Sequence, residues 1–125
     1  MSPKFTPAAV TELSRVGLLA TLPGETLARL AQRMQREQVP PGTTVVREGD
    51  AGERFYVVLS GMLAVTQASR GMQGTLRPGD YFGEVALAVG VPRTATVQAL
   101  TPVTIASCDR ETFDEFLRPI FADDG

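Results

Sequence analysis

Behind Pro23, with Glu25 in the first turn, Leu27, Leu30, Ala31 and Met34 recur at helical spacing. That stripe predicts a core-facing helix. Upstream, "TELSRVGLLATL" predicts a shorter helix ending near Gly17, so the segment over about residues 8–37 reads as helical. After "QVPPG" the pattern changes to β-branched residues cut at short intervals by "EGDAGE", "LSGML", "ASRGMQG", "LRPGDYFG", "VPRT" and "LTPV". Many short strands with such punctuation predict a β-sandwich or small barrel over about residues 38–108. The clearest hairpin is "RFYVVLSGMLAVTQ", turned at Gly61. "PPGTTVV" and "RPGDYFG" each set a Pro-Gly turn before an incoming strand, an echo that suits the two halves of a jelly roll. Finally, "DRETFDEFLRPI" predicts a helix over about 109–118, capped by Asp109, with Phe113, Phe116 and Leu117 on one face. Pro119 is expected to stop it and "FADDG" to fray.

A length of 125 residues leaves room for one domain, taken as residues 1–125, with enough chain to bury most of its apolar surface. The net charge is −2 and no tight Lys/Arg cluster occurs, so a nucleic-acid surface is not expected. The longest apolar run, Val85 to Val91, is too short to cross a bilayer, and "MSPKFTPAAV" lacks the apolar core of a secretory signal. The single cysteine, Cys108, excludes an internal disulfide, fits a cytoplasmic compartment and reads as a small buried residue of a strand. Histidine is absent altogether. A metal centre and most acid–base machinery thereby lose their usual parts, so neither catalytic nor metal-binding residues are assigned. A cupin-like metal enzyme, otherwise an option on a jelly roll, is disfavoured for the same reason.

The candidate chemistry lies in "YFGEVALAVGVPRTATV", an apolar stretch with two charges, Glu84 and Arg93. Gly83 precedes a short run of helix formers, "EVAL", that Gly90 ends. A one-turn helix there would aim the free N–H groups of Glu84 to Leu87 outward, and such groups bind anions. Arg93 follows Pro92, and its guanidinium is suited to grip a phosphate through two parallel hydrogen bonds. A carboxylate beside a phosphate is repelled unless it serves another part of the ligand, and as an acceptor it wants a hydroxyl. One compact phosphate beside a sugar hydroxyl, within apolar walls, describes a cyclic nucleotide. Singly, the two charges have plainer readings: Glu84 as a helix-start charge, Arg93 as its salt-bridge partner or a solvated turn residue.

"FGEVALAVGVPRTATV" resembles the phosphate-binding cassette of cyclic nucleotide-binding domains: Gly-Glu, a short helix with Ala-Leu, then Pro-Arg-Ser/Thr-Ala. "VVREGDAGERFYVVLSGMLAV" is similar to that family's first barrel strands, and the likeness runs from about Val16 to about Leu117. The resemblance implies a jelly-roll barrel, of the cupin-like double-stranded β-helix type, with N-terminal helices, a short cassette helix and a C-terminal helix. It also implies that cyclic AMP or cyclic GMP is the ligand. Glu84 would take the ribose 2′-hydroxyl and Arg93 the cyclic phosphate. Backbone amides at Gly83, Ala86 and Thr94 would do the rest, with Val85, Leu87, Pro92 and Ala95 completing the candidate set. Thr94 does not decide between the bases. Family members usually carry a further helix as a purine lid, and an effector such as a DNA-binding domain, channel or kinase. These residues hold none, so an isolated sensory module or a piece of a longer protein is expected. Occupancy would be coupled to a partner protein, an effector domain or a second copy through the C-terminal helix. A degenerate domain kept only for protein interaction is the alternative.

Overall fold

The computed structural model describes residues 6–122. Three helices open the chain: α1 (Val10–Leu13), α2 (Gly17–Ala20) and α3 (Gly24–Arg33). Where one helix ending near Gly17 was expected, there are two short ones, and Gly17 begins the second. Eight antiparallel strands follow: β1 (Gln35–Val39), β2 (Thr44–Val46), β3 (Arg54–Ser60), β4 (Leu63–Gln67), β5 (Gly71–Leu76), β6 (Tyr81–Phe82), β7 (Thr96–Ala99) and β8 (Val103–Asp109). α4 (Glu84–Val89) lies between β6 and β7. The chain closes with α5 (Arg110–Thr112), a π-turn (Phe113–Leu117) and α6 (Arg118–Ala122), one continuous helical segment.

The strands form two sheets, ordered β1-β8-β3-β6 and β2-β7-β4-β5, the two-sheet architecture that the turn spacing predicts, in the jelly-roll form that the Pro-Gly echo suits and the resemblance implies. The helical segment ends earlier than about residue 37, because Gln35–Val39 pairs with Val103–Ser107 as a strand. A polar "QREQ" can be an edge strand when a buried neighbour supplies the ladder. The expected β3–β4 hairpin is also corrected: the two arms join different sheets. Gly61 does turn the chain, at φ +85°, but a Cβ there would meet the Val103 backbone at 2.8 Å, so it marks a corner between sheets. The Pro-Gly echo is realised, since Gly42 (φ +87°) and Gly79 (φ +97°) each lead into an edge strand, one per sheet.

Period-two alternation splits the apolar residues of β3 and β8 between two cores. Phe55, Val57, Ala106 and Cys108 face the helices, packed with Leu13, Leu30, Met34, Phe113 and Leu117. Val58, Val103 and Ile105 face the barrel interior with Leu63, Phe82 and Val97. Burial pushes the Cys108 thiol up to about 12, which keeps it protonated and inert. Asp109 caps α5 by accepting from the Thr112 N–H at 2.9 Å, as expected. Pro119, however, does not stop the helix, which runs on to Ala122. Ile120 and Phe121 are packed rather than free, and Phe121 meets the rings of Phe55, Tyr81 and Phe113 at 5.5 to 6.0 Å. The last part of "FADDG", residues 123–125, lies outside the described residues.

Candidate functional site

α4 starts where the sequence placed it, and glycine makes the start possible. Gly83 has φ +96°, and a Cβ there would lie 2.7 Å from Arg93 Nη1 and 2.8 Å from the Arg54 carbonyl oxygen. Only glycine suits both the backbone and the space. Among the described residues no side chain caps the first turn of α4, so its N–H groups keep their bonding capacity for a ligand. Gly90, at φ +79°, ends the helix as predicted.

Arg93 is 7% exposed. Its Nη1 donates to Gly83 O at 3.2 Å and its Nη2 to Arg54 O at 2.7 Å, while the guanidinium carbon sits 5.8 Å from the Tyr56 ring. Tyr56 is in turn stacked on Phe82 at 4.7 Å. The Arg93 backbone is pinned to the preceding turn, donating to Asp50 O at 2.8 Å and accepting from Gly49 N–H at 2.9 Å. Two carbonyls take two of this cation's five N–H donors and an aromatic face lies over it, none of which neutralises its charge. Burial draws its pKa down, opposed by Tyr56, Glu84 and Glu53. Burial also raises the Tyr56 phenol, against the pull of Arg93 and Arg54.

Glu84 makes no ion pair and no side-chain hydrogen bond among the described residues, so the plain reading of a Glu84–Arg93 salt bridge is not what the structure holds. Instead both residues line one pocket of about 210 Å³ together with Gly83, Val85, Ala86, Thr94 and Ala95. The remaining wall is Val46, Val65, Leu76, Tyr81, Phe82 and Val97. Two candidates fall outside that lining. Leu87 is fully buried in the core under the helices, and Pro92 is exposed on the far side of the cassette. Gly52 was not among the candidates, yet a Cβ there would overlap the Ala86 Cβ and stand 3.1 Å from Arg93 Cζ. Its only signal in the sequence was a second glycine in "EGDAGE", which reads equally as a turn.

The family model for the cyclic nucleotide-binding domain matches residues 36–119. A cAMP-dependent protein kinase regulatory subunit from Yarrowia lipolytica is 41% identical over 109 residues, 86% of this chain and 29% of that protein. The regulatory subunit from Dictyostelium discoideum is 32% identical over 115 residues, 86% of this chain and 35% of that one. The chain thus spans about a quarter to a third of the length of such relatives. Among solved structures, the regulatory domain of Toxoplasma gondii PKA with cAMP matches at a TM-score of 0.84 and 27% identity, over 89% of this chain and 44% of that one. The regulatory subunit of a cAMP-independent protein kinase A from Trypanosoma cruzi, bound to guanosine, matches at 0.82 and 26%, over 90% and 41%.

Proposed function

The chain belongs to the cyclic nucleotide-binding domain family, and from that premise we propose that the pocket beside α4 takes cyclic AMP or cyclic GMP through the residues assigned to it from sequence. Arg93 pairs with the cyclic phosphate, the amides at the start of α4 and at Thr94 share that charge, and Glu84 accepts from the ribose 2′-hydroxyl. Val46, Val65, Leu76 and Val97 give the purine an apolar wall. No bond is made or broken in this reading: the domain is a sensor. It hands occupancy to a protein kinase catalytic subunit or to another effector, as the names of its relatives suggest. No helix is long and apolar enough to cross a membrane among the described residues, and cytoplasmic residence is part of the same proposal.

The observation that carries the reading is Arg93, a buried cation with carbonyl partners and, among the described residues, no carboxylate partner, facing the open first turn of a helix. Such a charge is stabilised by a bound anion. The likeness to a guanosine-bound relative favours a second reading, a purine nucleoside. A nucleoside leaves Arg93 unanswered. Calorimetry with cyclic AMP, cyclic GMP, their 5′-monophosphates and guanosine separates the two. Binding of either cyclic nucleotide and weak or no binding of guanosine is expected; the reverse order overturns the assignment.

A further inference from the structure

The last carbonyls of an α-helix have no partners within it. In α4 two of them are taken by arginines from the end of the chain. Arg110 Nη1 donates to Leu87 O at 3.2 Å, and Nη2 reaches Gly52 O at 3.4 Å. Arg118 Nη2 donates to Leu87 O at 2.9 Å and Nη1 to Ala88 O at 3.2 Å. Arg118 is itself fixed, with Nε on Asp114 Oδ1 at 2.8 Å and its guanidinium 5.7 Å from the Phe113 ring. Both cations also stand at the negative end of the α4 dipole.

This double grip depends on the π-turn. Eight positions along a regular α-helix end about 80° round the axis from the start, which would turn Arg118 away from the face of Arg110. The turn Phe113–Leu117 absorbs one residue, with the Arg118 N–H donating to Phe113 O, and brings the two arginines within about 20° of each other. Pro119 works in the same direction. In a regular helix its ring would press on the Glu115 carbonyl, and the wider π-turn relieves that conflict.

We propose that Arg118 is a positioning residue for nucleotide binding: phased by the π-turn, it holds α4 by its C-terminal carbonyls so that the amides of its first turn face the ligand. The proposal rests on the cyclic nucleotide reading above. α4 has six residues, about 9 Å of helix, so its two ends move together. Its outer side is uncovered, with Val85 42% and Val89 70% exposed, and its inner side is fixed by Ala86, Leu87 and the two arginines. A ligand that draws the first turn inward therefore strengthens the Arg118 contact, and linkage requires the converse.

Cyclic AMP and cyclic GMP are titrated into the wild-type chain, Arg118→Leu, Arg118→Lys and Arg29→Leu, with melting of each and amide exchange over residues 113–122 with and without nucleotide. Arg118→Leu is expected to weaken the tighter nucleotide about tenfold, 1.4 kcal/mol. Arg118→Lys should fall between, because an ammonium lacks the fork that spans two carbonyls. Arg29 pairs with Glu115 elsewhere on the same helical segment, so Arg29→Leu should leave affinity unchanged. Nucleotide should slow exchange over 113–122 in the wild type and not in Arg118→Leu, a readout that a merely structural loss would not move. If Arg118→Leu does not fold, Arg118→Lys carries the test. Wild-type affinity and unchanged exchange slowing in the Arg118 variants overturn this proposal alone. A wild-type chain that binds neither nucleotide overturns the functional reading and this proposal with it.

Discussion

The two ends of the pocket are built differently. At the Arg93 end almost every group is fixed twice: the guanidinium by two carbonyls and a ring, its backbone by Gly49 and Asp50, the start of α4 by a glycine with no room for a side chain. At the other end Val46, Val65, Leu76 and Val97 offer shape, and exposed Thr94 offers one hydroxyl. The first end is suited to recognising a class of ligand and the second to tolerating variety within it. Discrimination needs polar groups matched to a base edge, which apolar walls do not supply.

Arg93→Leu attacks that contrast at its strong end and should remove measurable nucleotide binding, a loss of about 3 to 5 kcal/mol for stripping one partner from a buried charge pair. Calorimetry beside a melting curve checks it, and wild-type affinity in a folded variant would falsify the site. Gly52→Val probes the same end from beneath. Its side chain would drive Ala86 and Arg93 apart, costing about 1 to 3 kcal/mol in overpacking and lowering both Tm and affinity. Glu84→Ala deletes one hydroxyl's acceptor and should weaken binding by about 1 to 3 kcal/mol, less than Arg93→Leu does. At the weak end, competition between cyclic AMP and cyclic GMP should separate them by no more than roughly tenfold, 1.4 kcal/mol. A preference beyond about a hundredfold would mean that the barrel wall reads the base after all.

The smallest expected effect is that of pH. Burial lowers the Arg93 pKa below that of the free side chain, so the cost of holding its charge is present at all lower pH and is relieved only as pH rises through the folded value. Asp109 is shifted the other way by its bonds to Thr112, so its cap contributes above the ordinary carboxylate range and is lost as pH falls through the lowered value. Neither shift opens a transition near neutrality, burial pushes the Cys108 thiol up to about 12, and the chain has no histidine. Affinity should therefore be nearly flat from about pH 6 to 8. A tenfold change across that window would reveal an unrecognised titrating group.

The strong end was legible in sequence because it is contiguous: Gly83, Glu84, Gly90 and Arg93 sit within one stretch whose turn and helix signals are local. What escaped comes from elsewhere in the chain. Gly52, the Arg54 carbonyl and Tyr56 reach the site from β3 and the loop before it, and no local pattern marks a carbonyl as a partner for an arginine. The strands themselves were readable from their turns, but the sheet each one joins was not. Gly61 looks the same at a hairpin as at a corner between sheets. Pro119 misled because a proline ends a regular helix, and only the π-turn before it lets this one continue.

The two-sided burial of β8 has a consequence for how the chain is made. This strand pairs with β1 across most of the sequence, Gln35 against Ser107, and supplies side chains to both cores. During synthesis neither the helix layer nor the barrel can close until Asp109 has left the ribosome, so folding awaits nearly the whole domain. Until then β1 and β3 lack the partner that lies between them, and their open edges are exposed to other chains. The polar residues Arg36, Glu37 and Gln38 on β1 guard one of those edges during the wait.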